Sequence, residues 1–420
     1  MTQNDRQYEA IVFGATGYTG KYTAEHITTG LPTDFKWAIA GRSEGKLTAL
    51  ANELKSLNPD RPPPGIEIAQ LQKADLVQLA KKTKVLITTV GPYHKYGTAV
   101  VEACAETGTH YLDVTGETPW VYDIAKEYHE TAKRSGAIII PQNGVESAPS
   151  DLLCWALVAH IRGAMNVGTG EIIHSIHDMR ASASGGTLAT VLTLLDSYGL
   201  GDLAKAFDRW SLSVVPPPKQ AYSKPLFEKL TGVRTVADLG DFLTDSIAGT
   251  TDTTLVHRSW SLYDGGKFYG PNFYISPYSR AGSLLKGVLM HFALIFGFMA
   301  LMLPPVRWLL QRFVYQPGEG PTKESVPCIP VPYHRINSLT SPLQTSQARI
   351  HRIPRHRSRR RVRPERPEAR IRPHAFRRQH VPPHWYLSCR SCDHDREKQD
   401  VRARAWRWCA DAGDAGCAVS

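Results

Sequence analysis

The chain has 420 residues, 42% hydrophobic and 21% charged, a globular composition long enough for two domains with extras. Its formal net charge of +11 sits wholly in the tail: residues 321–420 hold 21 Lys and Arg against 9 Asp and Glu, whereas residues 1–320 hold 29 against 30. The body is therefore not a basic nucleic-acid binder, and with only Cys104 and Cys154 it is no disulfide scaffold, which favours a reducing compartment.

The start, MTQNDRQYEA, is polar and lacks a signal-peptide core, so a cytoplasmic protein is expected. EAIVF (9–13), WAIA (37–40), IEIAQL (66–71), VLITTV (85–90), HYLDV (110–114) and AIIIP (137–141) are short and rich in β-branched residues. Segments of helical length separate them, among them KYTAEHITTG, SEGKLTALANELKSL and KYGTAVVEACAETG. Strand then helix, repeated, predicts a doubly wound parallel sheet over residues 1–150.

GATGYTG follows the first strand and opens the first helix, with glycines at Gly14, Gly17 and Gly20 and with Thr16, Tyr18 and Thr19 between them. Glycines there let the backbone approach a pyrophosphate, whose charge meets free amides at the helix N-terminus; the bland alternative is a tight turn that binds nothing. The second strand ends in GRSEGK, placing Arg42 and Ser43 where an NAD site usually has an acid, so NADP(H) is the expected cofactor. Arg42 as a plain solvated charge is the competing reading. Strand four runs into TTVGPY, which brings Val90, Gly91, Pro92 and Tyr93 to the nicotinamide side. Strand five leads into DVTGE, with Asp113, Thr115 and Glu117 at the same edge; Glu117 serves either the site or the cap of the next helix.

In DLLCWALVAHI, Asp151 is expected to cap a helix. EIIHSIHDMRASAS alternates like a strand, and Ser184, Gly185, Gly186 and Thr187 then turn into TLATVLTLLDSYG, either binding an anionic group or, by preference, simply joining strand to helix. SWSLYDGGKFYGPNFYI reads as a hairpin turning at DGG. His174, His177 and His257 have no metal-ligand spacing, and no metal is assigned.

GATGYTG, AGR, TTVGPY, YLDVTGE, NGVESAPSDL (143–152) and SGGTLAT (184–190) occur in that order. Together they resemble the saccharopine dehydrogenase-like oxidoreductases, particularly the branch of trans-acting enoyl reductases, over roughly residues 8–320. The resemblance implies an N-terminal Rossmann-type α/β domain (1–150) that binds NADP(H), and a second α+β substrate or dimerisation domain (151–286), compatible with a homodimer. It also implies reduction chemistry on lipid-like or polyketide-like substrates; members of the animal type associate with lipid droplets and membranes. The family's usual G-F-D-S-x-P-S-D reads Gly144 to Asp151 here, with Glu146 for its first carboxylate and no aromatic. An enoyl reduction needs a hydride, a proton donor and a hydrogen bond to the carbonyl. Tyr93 is the first donor candidate, with Glu117, Glu146 and Asp151 in reserve. The competing class is a lipid-surface protein that binds NADP(H) without catalysis.

GVLMHFALIFGFMALML (287–303) has 17 uncharged residues, about 26 Å as a helix against a bilayer core of about 30 Å. Pro304 and Pro305 break it before VRWLL, so residues 287–312 read as a hairpin in one membrane leaflet or a lipid-droplet monolayer, with a buried core helix as the other reading. From 325 to 420 the chain is Arg- and Pro-rich without apolar period, and a disordered basic tail is expected. Nucleic-acid or anionic-lipid binding competes there with a shifted reading frame, which is preferred. Cys389 and Cys392 have no second pair for zinc. The family's usual C-terminal strands and glycine-rich segment have no counterpart in that tail, which leaves an incomplete second sheet as the expectation.

Overall fold

The computed structural model describes residues 5–145, 147–177, 185–218, 224–236 and 241–310, all within one compact unit. The first sheet holds β1 (Tyr8–Phe13), β2 (Trp37–Gly41), β3 (Gly65–Ile68), β4 (Thr83–Thr88), β5 (His110–Asp113) and β6 (Ile139–Ile140). Its order is β3-β2-β1-β4-β5-β6 and every pairing is parallel. The crossovers are α1 (Tyr18–Gly30), α2 (Glu44–Leu57), α3 (Lys73–Lys81), α4 (Tyr93–Tyr96), α5 (Thr98–Thr107) and α6 (Thr118–Ser135).

Burial on both faces explains the near-continuous apolar strands. Ile11 and Phe13 of β1 face a core with Leu86, Val100, Val101 and Trp120, while Val12 faces Ile39, Leu47 and Leu54. β3 and β6 are shorter than the apolar runs predict: both lie at sheet edges, where pairing stops once the partner strand ends. The order reverses between β1 and β4, and a crevice opens beyond the C-terminal ends of strands at such a point.

The second sheet comprises β7 (Glu171–Ile176), β8 (Val233–Val236), β9 (Asp241–Asp245) and β10 (Tyr274–Arg280), in the order β7-β10-β9-β8. β7 and β10 pair parallel and the other neighbours antiparallel, a mixed sheet of α+β type. Around it lie α7 (Ala148–Met165), α8 (Gly185–Ser197), α9 (Leu200–Ala206), α10 (Leu226–Thr231), α11 (Gly249–Leu262), α12 (Leu284–Leu301) and α13 (Pro304–Leu310).

The expected SWSLYDGGKFYGPNFYI hairpin is a correction. Ser259–Leu262 closes α11, Asp264–Gly266 is one 3-10 turn, and only β10 beyond it is extended. Aromatic spacing misled because Trp260, Tyr269 and Phe273 converge from a helix, a turn and a strand approach on one buried cluster. Gly266 (φ +85°) lies against the Trp260 ring, where a Cβ would come within 2.4 Å. The strand expected over 171–184 covers Glu171–Ile176; residues 178–184 lie outside those described.

α12 starts on the second sheet. Gly287 packs on Val233, its carbonyl accepts from Thr244 Oγ1 at 3.0 Å, and His291 Nδ1 pairs with Asp245 Oδ2 at 2.7 Å. Beyond that foothold its side chains are exposed nearly all round, including Leu289, Phe296, Phe298 and Met299. The helix has mean hydropathy 2.0, and only 6% of it is buried among the described residues, unlike a helix packed into their core. Arg307 of α13 closes the turn, donating to the Leu301 and Met302 carbonyls and pairing with Asp196 of α8 at 2.6 Å. The segment 325–420 with its Cys389 and Cys392 lies outside the described residues.

Candidate active site at the β1–β4 switch point

The three glycines differ in what they do. Gly14 takes φ +84°, and a Cβ there would meet Val90 Cγ2 at 2.6 Å, so strands β1 and β4 close over a bare backbone. At Gly20 a Cβ would lie 2.3 Å from the Gly14 carbonyl oxygen, which seats α1 against the loop. Gly17, by contrast, meets only that oxygen, at 3.2 Å. Thr89 fixes the loop from β4, its Oγ1 donating to the Phe13 and Gly14 carbonyls at 3.2 Å. Gly17 is the N-cap of α1 and no side chain caps that end, leaving the positive end of the helix to an anion. Thr16, Tyr18 and Thr19 line the same turn.

Arg42 and Ser43 directly follow β2, both exposed, with Ser43 at the N-cap of α2. Arg42 makes no ion pair among the described residues, and Glu44, the first acid after β2, begins α2. This donor set fits a 2′-phosphate better than a ribose 2′-hydroxyl. Val90, Gly91 and Pro92 follow β4, the strand on the other side of the reversal, and lead into α4.

Tyr93 is placed otherwise than expected. It is buried, stacks near Trp120 at 5.6 Å between ring centroids, and donates its hydroxyl to the Thr88 carbonyl at 3.2 Å. Burial pushes that hydroxyl far above the usual phenol range, so its geometry is that of a core tyrosine and not of an exposed donor. Of the two readings of Glu117, the structure removes the helix cap. It stands at the N-cap of α6 but makes no cap bond to its own helix. Its carboxylate reaches across to α4 instead, accepting from Tyr93 N at 2.6 Å and His94 N at 2.7 Å, and bonding His94 Nδ1 at 2.6 Å. Sequence reasoning missed His94; the signal was a histidine two residues past Pro92.

Asp113 ties the ends of β5 and β6, accepting from Tyr111 Oη, Thr115 N and Gln142 N. Burial outweighs these donors and pushes its carboxyl up to about 6. Gln142 itself adopts φ +63° with its side-chain amide buried and unbonded in the described structure, a strained position of the kind that gathers at functional edges. Asp151 does not cap α7: the helix starts at Ala148, and Asp151 lies within its first turn. Its Oδ2 accepts from Ser259 Oγ at 2.8 Å, and burial pushes it up to about 6. Glu146 and Ser184 lie outside the described residues.

A parallel sheet in this order, with a glycine cradle at its reversal and an arginine after β2, defines a dinucleotide-binding oxidoreductase domain. Residues 10–140 match the saccharopine dehydrogenase NADP binding domain. A trans-acting enoyl reductase of Mycobacterium ulcerans is 31% identical over 343 residues, covering 77% of this chain and 79% of its own. A Mycobacterium tuberculosis protein provisionally named for the same activity is 31% identical over 360 residues, covering 81% and 82%. The chain therefore belongs to the saccharopine dehydrogenase-like oxidoreductases, with the trans-acting enoyl reductases as relatives, and its cofactor is NADP(H). Among solved structures, apo saccharopine dehydrogenase (L-Glu forming) of Saccharomyces cerevisiae aligns with a TM-score of 0.33 at 12% identity, over 44% of this chain and 40% of that one.

Proposed function

We propose that the chain reduces the carbon–carbon double bond of an enoyl thioester, or a like carbonyl-activated substrate, carried on a lipid-like or polyketide-like acyl chain. NADPH, when bound, supplies the hydride. Gly14 to Gly20 hold its pyrophosphate against α1, Arg42 and Ser43 take the 2′-phosphate, and Val90 to Pro92 flank the nicotinamide. The observation that carries the reading is this cradle in a chain that aligns along most of its length with trans-acting enoyl reductases. The test is NADPH consumption by the purified chain against enoyl thioesters of increasing acyl length, with the product gaining two hydrogens. NADPH binding without consumption by any of them makes the chain a non-catalytic NADP(H)-binding protein.

The exposed α12–α13 pair supports attachment to a lipid surface while the chain acts. At 18 residues α12 is about 27 Å long, its apolar surface nearly unbroken, with Trp308 exposed beyond the turn. Flotation with phosphatidylcholine vesicles, lost on Leu289→Lys with Phe296→Lys, is the expected outcome; a chain that never floats removes this part of the reading.

A further inference from the structure

The bond between Glu117 and His94 belongs to a longer chain of groups. The His94 and Glu117 side chains are 3% and 1% exposed, and the carboxylate receives four donors: two backbone amides, His94 Nδ1, and Thr190 Oγ1 at 3.3 Å. A carboxylate accepts only, so Nδ1 carries the hydrogen and Nε2 is left for the next group. That group is Thr193 Oγ1 of α8, at 3.3 Å. Glu117, His94 of α4 and Thr193 of α8 thus form one hydrogen-bonded line whose middle member stands two residues past Pro92, and the Thr193 hydroxyl also lies 3.5 Å from the Thr190 carbonyl of its own helix.

We propose that this line is the proton relay of the reduction, with Thr193 the catalytic hydroxyl, His94 its proton supply and Glu117 the residue that positions the imidazole. The inference rests on the enoyl reductase reading above. Hydride addition from NADPH to the β-carbon leaves an enolate. Its electron pair forms the C–H bond at the α-carbon as the Thr193 O–H bond breaks. The Nε2–H bond of a protonated His94 breaks in turn to restore the hydroxyl, leaving neutral imidazole with its Nδ1–H on Glu117, and water returns one proton afterwards. The carboxylate, 2.6 Å from Nδ1, holds one ring orientation throughout, the positioning part a buried carboxylate plays in hydroxyl–imidazole–carboxylate systems.

The experiment uses the full chain and the variants Thr193→Val, Thr193→Ser and His94→Gln, with an enoyl thioester and a nitroalkene as substrates. A nitroalkene takes hydride and departs as the nitronate, with no enzymic proton needed. Thr193→Val is expected to lower kcat on the enoyl thioester by about 100-fold, within the usual worth of general acid catalysis, with NADPH affinity and nitroalkene reduction kept. Thr193→Ser is expected to restore most of it. Independently of turnover, nitrogen-15 NMR of labelled histidine should show, beside the Nδ1-protonated imidazoles of His257 and His291, a further one that is lost in His94→Gln and displaced in Glu117→Gln. Equal kcat for Thr193→Val and the wild type, equal loss on both substrates, or a His94 protonated at Nε2 alone overturns the relay. If the wild type binds NADPH yet reduces neither substrate, the enoyl reductase reading falls and the relay with it; an active wild type with unaffected variants removes the relay alone.

Discussion

Exchanging two glycines of the cradle separates packing from ligand approach. In Gly20→Ala the new methyl lies 2.3 Å from the Gly14 oxygen, 2.8 Å from Ala15 Cα and 2.8 Å from Thr89 Oγ1. Two of these are backbone atoms, and the Gly14 oxygen is already bonded to Gly17 N at 2.9 Å, so neither can give way cheaply. Ordinary carbon contacts lie at about 3.5–4.0 Å, so α1 must retreat by about an ångström, loosening Ala24 and Ile27 from the core. Overpacking typically costs about 1–3 kcal/mol, and backbone obstruction puts this case at the upper end. At roughly 2 °C per kcal/mol for a chain of this size, Tm should fall by about 6 °C. Gly17→Ala differs. Gly17 has φ −76°, ordinary for any residue, and meets only one atom, at 3.2 Å. Its Tm should stay within about 2 °C of the wild type, since the restricted unfolded chain offsets a small clash. Its methyl nonetheless occupies the approach to the helix end, and NADPH affinity should weaken at least about 10-fold. Differential scanning calorimetry and a fluorescence titration with NADPH read both. A wild-type Tm for Gly20→Ala, or wild-type NADPH affinity for Gly17→Ala, refutes this division of roles.

Three further outcomes are expected. Arg42→Ala should weaken NADPH by about 10-fold, the worth of one charge-assisted contact, and leave NADH unchanged; an equal effect on both nucleotides would show that Arg42 does not read the 2′-phosphate. Burial holds the Asp151 carboxyl near 6, above its ordinary value, so the native state binds the extra proton and stability falls as pH rises from about 4 to 6. Asp151→Asn, which can still accept from Ser259, should match the wild type in urea melts at pH 4 and exceed it at pH 7.5 by up to about 3 kcal/mol; equal stability at both pH values contradicts that burial. Tyr93→Phe removes one hydroxyl bond to Thr88 and should cost about 1 kcal/mol in chemical denaturation, while NADPH turnover stays near wild type; loss of turnover with cofactor binding intact would return the donor role to Tyr93.

The nucleotide half of the site was legible because local rules specify it. A glycine needing φ +84° at the end of β1 and an arginine directly after β2 carry their meaning in short stretches, as does the strand and helix alternation around them. The catalytic edge was not. Glu117 is adjacent in sequence to the helix it appeared to cap, yet it bonds His94, 23 residues back, because β4 and β5 are neighbours in the sheet. Thr193 reaches His94 across 99 residues, from a helix whose pattern announces only apolar packing. The same non-local convergence hid the Trp260, Tyr269 and Phe273 cluster behind an apparent hairpin. Residues that act by meeting across a fold leave no spacing to read.

The most direct test of the account is the fate of deuterium from NADPH deuterated at the nicotinamide C4 position. The full chain is incubated with this cofactor and an enoyl thioester, and the product is examined by mass spectrometry and NMR. One deuterium at the β-carbon, with the α-hydrogen drawn from solvent, is the result the account requires. A saturated product without deuterium, or bound NADPH that persists beside unreacted substrate, would contradict it.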